Sequence, residues 1–167
     1  MRTPLSIGVV VAPGNPQLAR VLAGLPDVRL RWLCAQGAAP RELAAPTWHA
    51  AAKWTDDPSR LVEDEELDAI VFEDVVGRRG DWPRRAVEAD KHVLVRGPLA
   101  RTGKEADELL TAAARRNRRV RVYHESLARS GVTRLRALVD SGALGDVYYV
   151  RGSRTSDGRD GAVTVRD

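Results

Sequence analysis

Apolar runs of strand length alternate with helical patterns along almost the whole chain, and this alternation constrains the fold more than any other feature of the sequence. The predicted strands are Leu5–Ala12, Val28–Cys34, Ala51–Trp54, Leu67–Phe72, His92–Val95, Val120–Tyr123 and Val147–Gly152. The predicted helices are Gln17–Leu25, Arg41–Ala45, Pro58–Glu66, Trp82–Ala89, Thr102–Arg116 and Val132–Ser141. A helix between two strands returns the chain to the same end of the sheet, so the strands pair in parallel and helices cover both faces. The sequence therefore predicts an α/β fold with a doubly wound parallel sheet of the Rossmann type.

Length and cysteine content set the broad class of protein. A chain of 167 residues with 43% hydrophobic content can bury one sizeable core, which predicts a single main domain. Cys34 is the only cysteine, so neither an internal disulfide nor a cysteine-based metal site is expected. The apolar runs are too short to cross a membrane, and the first residues lack the apolar stretch of a secretion signal. We expect a cytoplasmic protein without a membrane partner or a metal.

The net charge of +4 comes mainly from arginine, and the densest arginine cluster lies where a helix is predicted to end and a strand to begin. The cluster consists of Arg115, Arg116, Arg118, Arg119 and Arg121. Cations at the carboxyl end of a helix complement its dipole and stay hydrated. Only one Phe and three Tyr are available to stack on bases, and no nucleic-acid recognition motif accompanies the cluster. We therefore expect no nucleic-acid partner.

Four phrases of the sequence, taken in order, resemble one family of oxidoreductases. They are LSIGVV from Leu5, ELDAIVF from Glu66, KHVLV-x-x-PLA from Lys91 and LRALVDSGALGDVYYVRGS from Leu135. Together they make the chain similar to the Gfo/Idh/MocA family, which is named after glucose-fructose oxidoreductase and inositol dehydrogenase. The resemblance covers nearly the whole chain.

The resemblance implies a two-domain organisation. Members of the family carry an N-terminal Rossmann domain that binds NAD or NADP, and a C-terminal α/β domain that builds the substrate pocket and the subunit interface. On this basis residues 1–146 are predicted to form the Rossmann-like domain, and residues 147–167 only a stub of the second domain. A last strand without the rest of its sheet leaves an open edge, which predicts a homodimer or a heteromer with another protein subunit.

The dinucleotide-binding features of the family are degenerate in this sequence. The three glycine positions of its G-x-G-x-x-G turn fall on Val11, Pro13 and Pro16, while Gly14 is displaced by one residue. That turn needs free amides and no side chain where the backbone meets the pyrophosphate, and proline offers neither. The acid that follows the second strand and binds the ribose is replaced by Ala35. We therefore predict no cofactor, with NAD or NADP kept as the alternative.

The catalytic features that the resemblance implies are also missing. The family's Glu-Lys-Pro at the end of the fifth strand becomes Arg96-Gly97-Pro98, and the lysine is the group that assists proton transfer in the family. Gly97 has no proton to exchange, and an arginine is a poor acid or base at neutral pH. Glu73 and Asp74 follow the fourth strand as a predicted solvated acid pair, and unpaired carboxylates there would repel a pyrophosphate.

Four residues remain as candidates for other chemistry: Glu73, Asp74, His124 and Glu125. All follow strands whose carboxyl ends lie at the edge where α/β proteins bind ligands. His124 and Glu125 are neighbours in an extended segment, so their side chains are expected to point to opposite faces. The leading hypothesis is a degenerate member of the family that transfers no hydride and serves as a partner subunit or a small-molecule-binding protein. One alternative is a repurposed cyclase, isomerase or lyase, and another is an NAD(P)-dependent oxidoreductase half completed by a second chain.

Overall fold

The computed structural model describes residues 3–12, 17–35, 51–73, 79–128 and 130–151. The strands are β1 (Leu5–Val10), β2 (Val28–Cys34), β3 (Lys53–Thr55), β4 (Ala69–Phe72), β5 (His92–Arg96) and β6 (Val120–Tyr123). They form one sheet in the order β3-β2-β1-β4-β5-β6, and every neighbouring pair is parallel. This is the strand order of a Rossmann fold, so the predicted doubly wound sheet is confirmed.

The helices of the first part of the chain connect these strands. They are α1 (Gln17–Ala23), α2 (Ser59–Glu63), α3 (Trp82–Glu88) and α4 (Gly103–Arg115). The hydroxyl of Thr102 accepts a hydrogen bond from the amide of Glu105 at 3.2 Å, which is the predicted cap of α4. α2 is shorter than predicted, because Asp64 adopts an extended backbone with φ −75° and ψ 104°. The predicted helix Arg41–Ala45 lies outside the described residues.

The core lies on both faces of the sheet, as expected for strands covered by helices on each side. One cluster of buried side chains includes Phe72, Val95 and Leu109, and the other includes Val9, Val11 and Leu33. Helices α1 and α4 contribute to different clusters, through Ala19 and Leu109 respectively. Burial on both faces explains why β1, β4 and β5 read as nearly continuous apolar runs in the sequence.

The chain divides into two compact units, Met1–Glu125 and Ser126–Asp167. A 3-10 helix, Glu125–Ala128, crosses this division, and the described part of the second unit contains α5 (Ser130–Asp140). The predicted seventh strand is wrong over residues 147–151, which have no strand conformation. A strand requires a hydrogen-bonded neighbour. The predicted domain boundary at residue 146 stays a prediction.

None of the helices within the described residues has the length and apolar character required to cross a membrane.

Candidate functional site

The candidate site lies at the carboxyl edge of the sheet, around the point where the strand order changes direction. β1 pairs with β2 on one side and with β4 on the other, so the chain leaves these two central strands towards opposite sides of the sheet. α/β proteins bind their ligands in the crevice outside such a point. The segments that follow β1, β4, β5 and β6 therefore supply the side chains of the site.

Glu73 directly follows β4 and is buried, with an exposed fraction of 3%. Its backbone amide donates to the carbonyl of Val10 at 2.9 Å, which fixes the residue beside the end of β1. Its Oε1 accepts a hydrogen bond of 3.1 Å from the amide of Ala19, the third residue of α1. That amide is one of the first four of the helix, which have no partner inside it. The expectation of a solvated Glu73 is therefore wrong, because the carboxyl group is buried and accepts a hydrogen bond from the first turn of α1.

Burial dominates the electrostatics of Glu73. It raises the pKa of the carboxyl group to about 7, although the backbone amides of Ala19, Ala12 and Leu18 and the charge of Arg96 all lower it. Oε2 is buried as well, and it has no hydrogen-bond partner in the part of the chain that the structure describes. A carboxylate with one unsatisfied oxygen is costly in such an environment, which is why the protonated form gains.

Gly97 follows β5 and lies against the imidazole of His124, which follows β6. A Cβ atom at residue 97 would lie 2.6 Å from Nδ1 of His124, and closer still to Cε1. The two backbones are held together at this point, because the amide of Gly97 donates to the carbonyl of Tyr123 at 3.0 Å. The His124 side chain itself is largely exposed at the sheet edge. The imidazole therefore fills the volume that a side chain at residue 97 would occupy.

Arg96 and Glu125 form an ion pair that joins the ends of β5 and β6. Nη2 of Arg96 lies 3.2 Å from Oε2 of Glu125, and their side chains are 30% and 51% exposed. Tyr123, which pairs with Arg96 across the two strands, is half-buried in the same region. Burial and the carboxylates of Glu73 and Glu125 raise the pKa of its hydroxyl. Glu73, Tyr123 and Glu125 are thus electrostatically coupled around Arg96.

Arg79 gives the turn after β5 its rigidity. Its guanidinium is buried and donates hydrogen bonds to the carbonyls of Arg96 at 2.7 Å, Leu99 at 2.7 Å, and Pro98. A guanidinium presents five donors in a fixed plane, so one side chain can hold three acceptors of the same turn. The turn that carries Gly97 is therefore anchored from inside the protein, and its peptide bond to Pro98 is cis.

The described residues do not fit the dinucleotide that a Rossmann fold of this kind implies. The start of α1, where a pyrophosphate is normally bound, is occupied by the carboxyl group of Glu73. Ala35 is buried after β2 and offers no carboxylate to a ribose. Val11 is buried too, and its amide donates to the carbonyl of Cys34 at 2.8 Å.

Several of the predicted site residues come together, and others cannot be placed. Glu73 lies near Arg96, and Glu125 binds Arg96, whereas His124 packs at Gly97. Pro13, Gly14, Pro16 and Asp74 lie outside the described residues. Tyr123 was missed by the sequence reasoning, although its position as the last residue of a strand at this edge was a usable signal. No group of three or more His, Cys, Asp or Glu in the described ranges could hold a metal ion.

Comparison with protein families places the chain in a family of oxidoreductases. Residues 5–124 match the family GFO_IDH_MocA, described as an oxidoreductase family with an NAD-binding Rossmann fold. D-xylose dehydrogenase of Paenarthrobacter nicotinovorans is 33% identical over 112 residues, which cover 67% of this chain and 28% of that protein. Inositol 2-dehydrogenase of Gluconacetobacter diazotrophicus is 30% identical over 149 residues, which cover 87% of this chain and 44% of that protein. The chain thus spans less than half the length of these curated relatives.

Solved structures agree on the fold. An oxidoreductase from Bacillus cereus has a TM-score of 0.73 at 21% identity, covering 85% of this chain and 41% of that one. Biliverdin reductase from Synechocystis sp. PCC 6803, solved with biliverdin and NADP+, has a TM-score of 0.67 at 21% identity, covering 83% and 44%.

Proposed function

The chain belongs to the GFO_IDH_MocA family of oxidoreductases, and from this premise we propose that it is a member that transfers no hydride by itself and acts as a partner subunit or a small-molecule-binding protein. The relatives named above are dehydrogenases, so the proposal is that the fold is retained while the reaction is lost.

One observation carries the proposal: residue 97 is a glycine whose side-chain space is filled by the ring of His124. The family resemblance assigns to this position the lysine that assists proton transfer. The neighbouring cation, Arg96, is a poor substitute because a guanidinium stays protonated at neutral pH and is tied to Glu125. A larger residue at 97 would require the exposed ring of His124 to move.

A hydride-transfer assay tests the proposal. The purified chain is mixed with NAD+ or NADP+ and either D-xylose or inositol, the compounds in the names of two relatives, and absorbance of the reduced nicotinamide is followed. A complete dehydrogenase of the family serves as the positive control. We expect no rate above the protein-free background with any pair. Turnover by the chain alone would contradict the proposal.

The partner-subunit role rests on the second unit. Helix α5 carries Val132, Leu135, Leu138 and Val139, apolar residues that recur at helical spacing. An apolar stripe of this kind is normally covered by another element. We expect sedimentation velocity to give a dimer, or copurification to give a complex with another subunit. A monomer at high concentration with no copurifying chain would contradict this role.

A second candidate function is a nicotinamide-independent enzyme that uses the same crevice. It is favoured by the shifted pKa values of Glu73 and Tyr123, since shifted pKa values concentrate at functional sites. Once a substrate is found by following metabolite mixtures by mass spectrometry, alanine substitutions of Glu73, Asp74, His124 and Glu125 test this candidate. Activity that survives all four substitutions would rule out the crevice.

The remaining alternative is an NAD(P)-dependent oxidoreductase half that another chain completes. The names of the relatives favour it, while the misfit of the described crevice residues to a dinucleotide opposes it. Repeating the hydride-transfer assay with any copurified subunit present distinguishes it from the leading proposal.

A further inference from the structure

Among the described residues, Glu73 is the most deeply buried carboxyl group at the sheet edge. Its own amide is held by Val10, and its Oε1 accepts from the amide of Ala19 in the first turn of α1. The side chain therefore spans the crevice between β4 and α1. This crevice lies beside the point where a Rossmann fold brings a phosphate to the free amides of the first helix.

We propose that Glu73 is an internal substitute for the pyrophosphate of a dinucleotide, so that this chain closes its own nucleotide site with a carboxyl group. The inference deepens the proposed function by assigning the loss of the cofactor to one side chain, but it does not depend on residue 97. An enzyme could lack the proton-transferring lysine and still bind NADP+, so the two claims can fail separately.

Three physical reasons support the substitution. A carboxyl oxygen offers the amides of α1 the same kind of acceptor as a phosphate oxygen, and it does so from a position fixed by the backbone of β4. Glu73 has an exposed fraction of 3%, so it is packed into the structure and shielded from solvent. When ionised, it also repels any phosphate that approaches the same amides.

The surroundings of Glu73 define how it titrates. The charged and titratable groups around Glu73 include Arg96 at the end of β5, which acts on Glu73, and Tyr123 at the end of β6, which responds to it, while the charge of the buried Arg79 also acts on Tyr123. Arg96 favours the ionised form, whereas burial disfavours it more strongly and brings the pKa to about 7. The hydrogen bond to Ala19 must therefore change in strength near neutral pH, because an ionised acceptor binds an amide more strongly than a neutral one.

The Ala19 amide makes the proposal measurable by NMR. The uniformly 15N-labelled chain is titrated from pH 5 to pH 9, and the proton shift of the Ala19 amide is followed with the carboxyl carbon of Glu73. We expect both signals to move together with one midpoint near 7. In Glu73→Gln the step of the Ala19 amide disappears, and in the matched control Glu125→Gln, which changes an exposed carboxylate of the same edge, it persists.

Inorganic pyrophosphate is the competing probe. Added at millimolar concentration to the wild-type chain, it is expected to leave the Ala19 amide and its pH step unchanged. Two results would overturn the inference: a step that persists in Glu73→Gln, or pyrophosphate that shifts the Ala19 amide and removes its step. If Glu73→Gln does not fold, the wild type alone shows whether the Ala19 amide follows Glu73, because the two signals then have either the same midpoint or different ones.

Discussion

The imidazole of His124 occupies the space into which a side chain at Gly97 would extend, with Nδ1 only 2.6 Å from the position of a Cβ atom. The two residues follow neighbouring strands, β5 and β6, which are joined at that level by the hydrogen bond from Gly97 to Tyr123. Glycine at 97 and histidine at 124 are therefore a matched pair. The ring of His124 therefore lies where the resemblance expects a lysine side chain at residue 97.

The matched pair predicts coupled effects on stability. Gly97→Ala should lower the free energy of unfolding by about 0.5–1 kcal/mol, because the new methyl group forces the exposed His124 ring into another rotamer. In a His124→Ala background the same substitution should cost much less. Gly103→Ala is the control, since a Cβ there has no neighbour within 4 Å. Urea unfolding measures all four variants, and equal costs in both backgrounds would show that the residues are independent.

Because of Glu73, we expect the free energy of unfolding to fall as pH rises through neutrality. Its pKa is raised from 4.5 to about 7 in the folded chain, so the folded state binds the proton more tightly than the unfolded state. The resulting stabilisation is complete below pH 4.5 and is lost as pH rises past 7, in total about 3 kcal/mol. Urea unfolding from pH 5 to pH 8 should show this fall in the wild type and a smaller one in Glu73→Gln. Parallel profiles would contradict the buried position of Glu73.

We expect replacement of Arg79 to destabilise the fold strongly, although the residue is charged, because its side chain is buried. Arg79→Met should lower the free energy of unfolding by about 3–5 kcal/mol, because the carbonyls of Arg96, Pro98 and Leu99 lose their buried donor. Arg84→Met is the matched control: its guanidinium is 50% exposed and pairs with Asp81 and Glu88, so its loss should cost less than about 1 kcal/mol. Thermal unfolding compares the two, and similar shifts in Tm would refute the anchoring role.

We expect the thiol of Cys34 to resist thiol reagents in the native chain. The residue is fully buried at the end of β2, and burial raises its pKa to about 12, with a further contribution from Asp57 and Asp56. The thiolate, which is the reactive form, is therefore scarce and covered. Reaction with a disulfide reagent at pH 8 should be slow in buffer and complete within minutes in denaturant. Rapid labelling of the folded chain would contradict the burial of this strand.

Much of the sheet could be predicted from the sequence because its signal is local. β2 and β6 have the predicted bounds, since in each arginine alternates with apolar residues in the period-two pattern of a strand. The start of β4 differs from the prediction. It begins at Ala69 and not at Leu67, because the amide of Leu67 donates to the carbonyl of Asp64 in the turn after α2.

The site was less predictable because it depends on contacts between distant elements. The sequence shows an acid after β4, but the burial of Glu73 follows from α1 passing above it, 54 residues away along the chain. The loss of the lysine at Gly97 was visible, whereas the replacement of its volume by His124 required the pairing of β5 with β6. The seventh strand failed for the same reason: its apolar pattern is local, but a strand exists only with a partner.

The most direct test of the central claim is a titration of the wild-type chain with NADH and NADPH, following nicotinamide fluorescence at pH 8, where the Glu73 carboxyl group is ionised for the most part. A complete dehydrogenase of the family, titrated under the same conditions, shows that the assay detects binding. The account predicts no saturable signal from either dinucleotide. Saturation at micromolar concentration would contradict it, because a dinucleotide would then occupy the amides that Glu73 is proposed to fill.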